Sequence, residues 1–221
     1  MLEFEFSENV PFLSKVKNLK KDHPDYRKLR RDGSCFYRAF LFRFLEYVIR
    51  KNDKDLLKKF NDSIAESKKM LVEVGYEEFV IDSFQETLIE VLDEITKGVV
   101  NENKLLETFR EKMKSDGMVM CMRLICSGYL RKNSILYEHF LEEGMTMEHF
   151  CLTEVEPIDS NTDQLQITAL INFLEIPIKI TYLDGSKKDV CDVIYIPEEC
   201  EKDKVFINLL YRPGHYDLLY T

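Results

Sequence analysis

An α+β fold is predicted, with a helical N-terminal part packed on a C-terminal, mainly antiparallel sheet. Three features of the 221 residues point to it. Apolar residues recur at helical spacing in segment after segment up to about Leu174, the period drops to two beyond Pro177, and Tyr211–Tyr220 reads as strand, tight turn and strand. Helices first and strands last segregate as they do in α+β proteins, and such a sheet would carry His215 back to the start of the first long helix.

The opening stretch, Met1–Lys28, is short and charged. A helix is expected there over Glu8–Lys21, with Pro11 in the first turn, where its missing N–H has no partner to lose. Asp22-His23-Pro24-Asp25 then reads as a break, with His23 in a solvated loop. From Phe36 to Ile49 the chain is almost continuously apolar. On a helical wheel Arg38, Arg43, Glu46 and Arg50 share one side, while Phe36, Phe40, Phe44, Tyr47 and Val48 cover the other, so this helix is expected to be central and mostly buried.

Two amphipathic helices follow, Asp53–Val74 and Tyr76–Lys97, separated at Gly75. Leu56, Leu57, Phe60 and Ile64 form the stripe of the first, and Phe84, Leu88, Val91, Leu92 and Ile95 that of the second. Asn101–Lys114 is expected to be helical, and Ser115-Asp116 to cap a further apolar helix ending near Arg131. The Met and Cys residues of that helix suit core filling better than redox or metal chemistry. Ser134–Glu143 and Thr146–Leu152 read as short helices broken at Gly144, with His139 and His149 as packing or boundary residues, and Asn161-Thr162-Asp163 caps a helix to Leu174. Ile178–Leu183 alternates as a strand, Asp184-Gly185 suits a hairpin turn, and Val190–Ile196, Val205–Tyr211 and His215–Tyr220 complete at least four strands.

Composition narrows the function. Hydrophobic residues make up 45%, enough for one core, and the formal net charge of -9 argues against nucleic acid, which demands clustered cationic surface. Met1-Leu2-Glu3-Phe4-Glu5-Phe6 is acidic and lacks the basic leader of a secretory signal. No uncharged run approaches the ~20 residues of a membrane span. A soluble monomer is expected in the cytoplasm, with the nucleus also open to it and no membrane partner. The six cysteines are scattered rather than framing a small secreted domain, which favours reduced thiols. There is no Cys-x-x-Cys pair, and His149 with Cys151 lacks a second spaced pair, so neither metal nor cofactor is expected.

Chemistry gathers at the two ends of the chain. In Asp32-Gly33-Ser34-Cys35-Phe36-Tyr37-Arg38-Ala39 a thiol stands where a loop becomes the apolar helix. A helix N-terminus carries free N–H groups and partial positive charge that favour an anion, and a thiolate is one. The N–H of Cys35, with a second donor from the loop around Asp32, could hold the oxyanion of an attacked carbonyl. Alone, the octapeptide fits a small buried apolar side chain equally well. In Tyr211-Arg212-Pro213-Gly214-His215-Tyr216-Asp217-Leu218-Leu219-Tyr220, Pro213 and Gly214 fit a type II turn, and the strand period puts His215 and Asp217 on one face. An Asp so placed can orient the imidazole while the other ring nitrogen activates a thiol.

These two blocks resemble the signature blocks of the otubains, deubiquitinating cysteine proteases of the ovarian-tumour (OTU) family. Glu77-Glu78-Phe79, Arg123-Leu124, Ser127-Gly128-Tyr129-Leu130, Glu138-His139-Phe140, Phe150-Cys151, Glu154-Val155-Glu156-Pro157 and Gln166-Ile167-Thr168-Ala169-Leu170 resemble that family in the same order, so the likeness runs from about Tyr26 to Thr221. It implies the papain-like OTU fold, with a short arm over 1–25 and the catalytic domain over 26–221. It also implies Cys35 as nucleophile, His215 as base, Asp217 as orienter and Asp32 as part of the catalytic block, where its physical role would be to shape the oxyanion loop. Ser34 stands where the family usually has Asn, and Gln164 where relatives often carry His. The implied substrate is polyubiquitin, in lysine-forty-eight linkage, with the distal ubiquitin held by acidic and apolar surface between about Glu138 and Gly185. A ubiquitin-conjugating enzyme, bound and inhibited without cleavage, is the alternative partner; another ubiquitin-like modifier is a third.

Overall fold

Both ends of the chain enter one sheet. The computed structural model describes residues 2–6, 10–186 and 188–221, and it divides into a sheet unit made of 1–31 with 177–221 and a helical unit of 32–176. Five strands, β1 (Asp25–Arg27), β2 (Ile178–Tyr182), β3 (Asp192–Ile196), β4 (Ile207–Arg212) and β5 (His215–Tyr220), lie in the order β1-β5-β4-β2-β3. Only β2 and β4 run parallel; the other three pairings are antiparallel, so the sheet is mixed and mainly antiparallel. Strand β4 is central, and Ile207, Leu209 and Leu210 are fully buried along it. Gly214, at φ 74°, occupies the left-handed position of the β4–β5 turn that a side chain would strain.

The first strand was not legible in the sequence. Three residues after a proline carry no readable period, yet Tyr26 pairs with Leu219 and Arg27 with Leu218. The division expected at residue 25 therefore falls inside β1. Before it come α1 (Leu2–Glu5) and α2 (Val10–Asp22), the latter close to the helix expected at Glu8–Lys21. Phe6, Phe12, Leu19 and Tyr26 pack against a buried cluster of Val16, Leu183, Leu210 and Leu219. His23 is not solvated: it is 5% exposed, 3.2 Å from Lys179 Nζ, and burial with that neighbouring cation lowers its pKa.

The expected two-residue turn at Asp184-Gly185 is instead part of a longer loop, 183–191, between β2 and β3. A buried lysine explains the detour. Lys15 Nζ, wholly enclosed, donates to Asp184 Oδ1 at 2.6 Å, Ser186 Oγ at 2.6 Å and the Asp184 carbonyl at 3.0 Å. The loop thus wraps the ammonium group, satisfying a charge that could not otherwise be enclosed. That contact holds Asp184 at a pKa of about 2.

The helical unit contains α3 (Cys35–Lys51), α4 (Lys54–Glu73), α5 (Glu78–Thr96), α6 (Glu102–Arg110), α7 (Lys112–Lys132), α8 (Ser134–Tyr137), α9 (Met147–Phe150) and α10 (Gln164–Leu174). Most starts match their caps. Asp53 accepts the Leu56 N–H, Asn101 the Lys104 N–H, and Asp163 forms a capping box with Gln166. Helix α7 is the hub of this unit, packing on α3, α4, α5, α6 and α10. Its Met118, Cys121, Met122 and Ile125 are buried, as core filling requires.

Two expectations in this unit change. The helix read over Asn101–Lys114 stops at Arg110, because Glu111 is extended (ψ 111°), and α7 restarts at once at Lys112. Ser115 and Asp116 therefore lie inside α7 and cap nothing; both instead accept the guanidinium of Arg38. The polar side of α3 is likewise partly covered, although Arg50 at its end is exposed. Arg38 is 4% and Glu46 1% exposed, and Glu46 is paired with Arg43 at 3.1 Å and Arg50 at 3.2 Å. His139 and His149 are both exposed, which leaves them as boundary residues.

Candidate active site

On the helical unit, Cys35 is the first residue of α3 and is 5% exposed. The turn before it is held by tight packing. A Cβ on Gly33 would lie 2.2 Å from the Asp159 carbonyl oxygen and 2.6 Å from that of Ser160, so only glycine fits between these two backbones. Asp32 bends the turn with its carboxylate: Oδ1 accepts the Ser34 N–H at 3.0 Å, and Oδ2 lies 3.1 Å from Arg38 Nε and 3.0 Å from Nη2. The Asp32 carboxylate thus contacts the turn and Arg38, which suits loop shaping rather than proton transfer. The N–H of Cys35, expected as an oxyanion donor, here donates to the Asp32 carbonyl at 3.2 Å.

A second arginine locks the same turn from the other side. Arg123, 1% exposed on α7, donates through Nη2 to the carbonyls of Gly33 (3.0 Å), Ile158 (3.2 Å) and Ser160 (2.6 Å), and through Nη1 to that of Val155 (2.7 Å). Its Nε reaches Ser34 Oγ at 3.2 Å, and its guanidinium lies over the Tyr37 ring at 4.7 Å. Ser34 Oγ in turn donates to the Ile158 carbonyl at 2.6 Å. Serine in place of the usual asparagine therefore does not cap α3; it ties the turn to the segment after the π-helical turn Cys151–Val155. Glu156, next along, is fixed by Tyr76 and Ser127.

On the sheet unit, the turn at Gly214 starts β5 so that His215 and Asp217 share a face, and His215 Nε2 lies 2.9 Å from Asp217 Oδ1. Both are buried, at 5% and 0% exposure. Asp217 Oδ1 also accepts the Leu29 N–H at 2.9 Å, and Oδ2 accepts from Arg212 Nη2. Burial alone would raise the Asp217 pKa, but the hydrogen bonds from His215 and Leu29 and the charge of Arg212 outweigh it and hold the carboxyl below its ordinary value. An ionised Asp217 accepts a proton-bearing Nε2, so the tautomer that leaves Nδ1 basic is the favoured one.

A depressed folded pKa fixes the sign of a pH effect. The stability contributed by Asp217 is complete above its unfolded value of about 4 and is lost as pH falls from there through the lower folded value. Urea unfolding between pH 6 and pH 3 should therefore show the advantage of wild type over Asp217→Asn narrowing below about pH 4. An unchanged gap would contradict the carboxylate's ionised, buried state.

Three other cysteines are buried as well. Burial pushes Cys121 and Cys126 up to about 12 and Cys151 to about 11, which keeps them as inert thiols. Among the described residues no group of three or more His, Cys, Asp or Glu could hold a metal ion, and no helix is long and apolar enough to cross a membrane.

The family model for peptidase C65, otubain, matches residues 1–221. The chain belongs to the otubain family. Human ubiquitin thioesterase OTUB1 is 38% identical over 218 residues, covering 99% of this chain and 78% of that protein. The ovarian-tumour-domain deubiquitinating enzyme 1 of Arabidopsis thaliana is 32% identical over 236 residues, covering 99% and 77%. The solved structure of a ceOTUB1, ubiquitin aldehyde and UBC13~Ub complex contains a chain that superposes with a TM-score of 0.90 at 34% identity, over 96% of this chain and 85% of that one. The chain accordingly has the α+β, papain-like OTU fold and is a cysteine-type deubiquitinase.

Of the four residues singled out in the sequence, the structure joins His215 to Asp217 and puts Asp32 in the turn that presents Cys35. Sequence reasoning gave no role to Arg38, Arg123 or Arg212. Arg123 had a signal: it is a charged residue within the most apolar stretch of α7, where a cation persists only if buried acceptors surround it.

Proposed function

We propose that Cys35 is the nucleophile, His215 the general base and Asp217 its orienter in hydrolysis of ubiquitin isopeptide bonds. The observation that carries this assignment is the buried 2.9 Å pair between His215 Nε2 and Asp217 Oδ1, the contact by which a carboxylate orients a catalytic imidazole. Cys35 Sγ attacks the carbonyl of ubiquitin's C-terminal glycine while His215 takes the thiol proton, giving a tetrahedral oxyanion. Collapse expels the lysine amine, which receives that proton from His215, and leaves a thioester on Cys35. Water, deprotonated by His215, then attacks the thioester and releases ubiquitin's carboxylate and the free thiol. The Cys35 N–H can serve the oxyanion only by exchanging its 3.2 Å bond to the Asp32 carbonyl for the stronger charged acceptor.

Lysine-forty-eight-linked chains are the proposed substrate. Exposed Ile135, Leu136, Phe140 and Leu152, interspersed with Glu138, Glu148 and Glu154, offer an apolar and acidic face for the apolar, basic surface of a distal ubiquitin. A second reading, capture of a ubiquitin-charged conjugating enzyme without cleavage, is favoured by relatives solved in complexes with UBC13~Ub and UBCH5B~Ub. The test is labelling with ubiquitin carrying a C-terminal electrophile, alongside probes built on other modifiers, with the adduct mapped by mass spectrometry. The expected product is one ubiquitin on Cys35. An adduct on another cysteine, or preference for another modifier, would overturn the assignment.

A further inference from the structure

Arg212 sits on β4 at 5% exposure and spans two carboxylates with the two arms of one guanidinium. Nη2 donates to Asp217 Oδ2, and Nη1 lies 2.7 Å from Oε1 of Glu5, in the N-terminal helix α1. Asp217 Oδ1 meanwhile receives His215 and the Leu29 N–H. Donors on both oxygens fix the plane of the carboxylate, and with it the plane of the imidazole. The charged groups therefore alternate in sign from α1 to the base: Glu5, Arg212, Asp217, His215. Lys28 Nζ at 2.8 Å and Arg31 at 3.8 Å also face Glu5, and the Tyr26 hydroxyl senses the charges of both Glu5 and Asp217. The hydrogen bond from Lys28, with the charge of Arg212 behind it, holds Glu5 below the usual carboxylate range against its partial burial.

We propose that Arg212 is a positioning residue for the hydrolysis and that Glu5 sets its effective charge, so that helix α1 tunes the catalytic base through the Arg212–Asp217 pair. The inference rests on the assignment of His215 as base and Asp217 as orienter. Lysine at 212 keeps the charge but has one nitrogen and cannot bridge both carboxylates. Glutamine at 5 keeps a partner for Nη1 and removes only the charge. With Glu5 neutral, the positive charge of Arg212 is less compensated and disfavours the imidazolium beyond Asp217.

The experiment measures kcat, KM and the pH profile of diubiquitin cleavage for Arg212→Lys, Glu5→Gln and Asp217→Asn, with unfolding midpoints for each. Arg212→Lys should lower kcat about 100-fold with KM unchanged, the loss typical of a group moved by about 1 Å. Glu5→Gln should move the acid limb of the profile to lower pH, because the base then stays unprotonated, and able to take the thiol proton, further down in pH. A merely structural Arg212 would lower the unfolding midpoint and leave kcat and the profile in place at temperatures well below it, which overturns the proposal. If Asp217→Asn loses activity while Arg212→Lys and Glu5→Gln match wild type, this inference fails alone. If Asp217→Asn retains full activity, the underlying assignment fails and takes the inference with it.

Discussion

Cys35→Ala is expected to reduce cleavage of lysine-forty-eight-linked diubiquitin by about 10⁶-fold, the scale on which removal of a nucleophile from a cooperating set acts. The fold should survive, since the change deletes one sulfur from a residue whose turn is fixed by Gly33, Asp32 and Arg123 through contacts that do not involve the thiol. Circular dichroism and ubiquitin binding are the controls, and turnover near wild type would refute the mechanism. The same variant separates the two functional readings. In an assay of chain synthesis by a charged conjugating enzyme, suppression that persists in Cys35→Ala is due to binding, and suppression that disappears is due to hydrolysis.

The second large effect is expected at Arg123. Methionine there fills much of the space but removes the guanidinium donors from four backbone carbonyls and Ser34 Oγ, leaving the Ile158 carbonyl its bond from Ser34 Oγ and the Gly33 carbonyl its bond from Thr162 Oγ1. Each buried polar group stripped of its partner costs about 1–3 kcal/mol. Allowing for lone pairs that were already underused and for relaxation, Arg123→Met should destabilise the protein by about 4 kcal/mol, near the upper end for single substitutions. Urea unfolding measures this directly. Because the lost bonds join Gly33 to the 155–160 segment, the rate of Cys35 alkylation should change in the same variant even where it remains folded. A loss below about 1 kcal/mol would mean that the guanidinium is replaceable by solvent.

How far the chain could be read before its coordinates followed from the range of the interactions involved. Helical stripes such as Leu57, Phe60 and Ile64 repeat locally, and they became buried faces of α4. Asp163 caps its helix through contacts three residues long, so its role was legible too. His215 and Asp217 needed only the strand period. Illegible features depended on distant partners. The Arg212–Glu5 pair joins residues 207 positions apart, and Lys15 meets Asp184 across 169. No local pattern announces either one. Ser115-Asp116 misled because a good capping pair is also a good pair of guanidinium acceptors, and which role wins depends on where Arg38 arrives. Strand β1 is too short for a period to exist.

The pairing of β1 with β5 bears on the order in which the molecule can be assembled during synthesis. The stretch 32–176 can gather its own helices while the ribosome is still adding residues, but the sheet has to wait for β5 to emerge. Until Leu219 is free, Tyr26 lacks its neighbour and the edge of β4 stays open. Nascent chains stalled before β5 should be accessible to proteases around β1 and catalytically silent, with hydrolytic competence gained only once β5 has emerged.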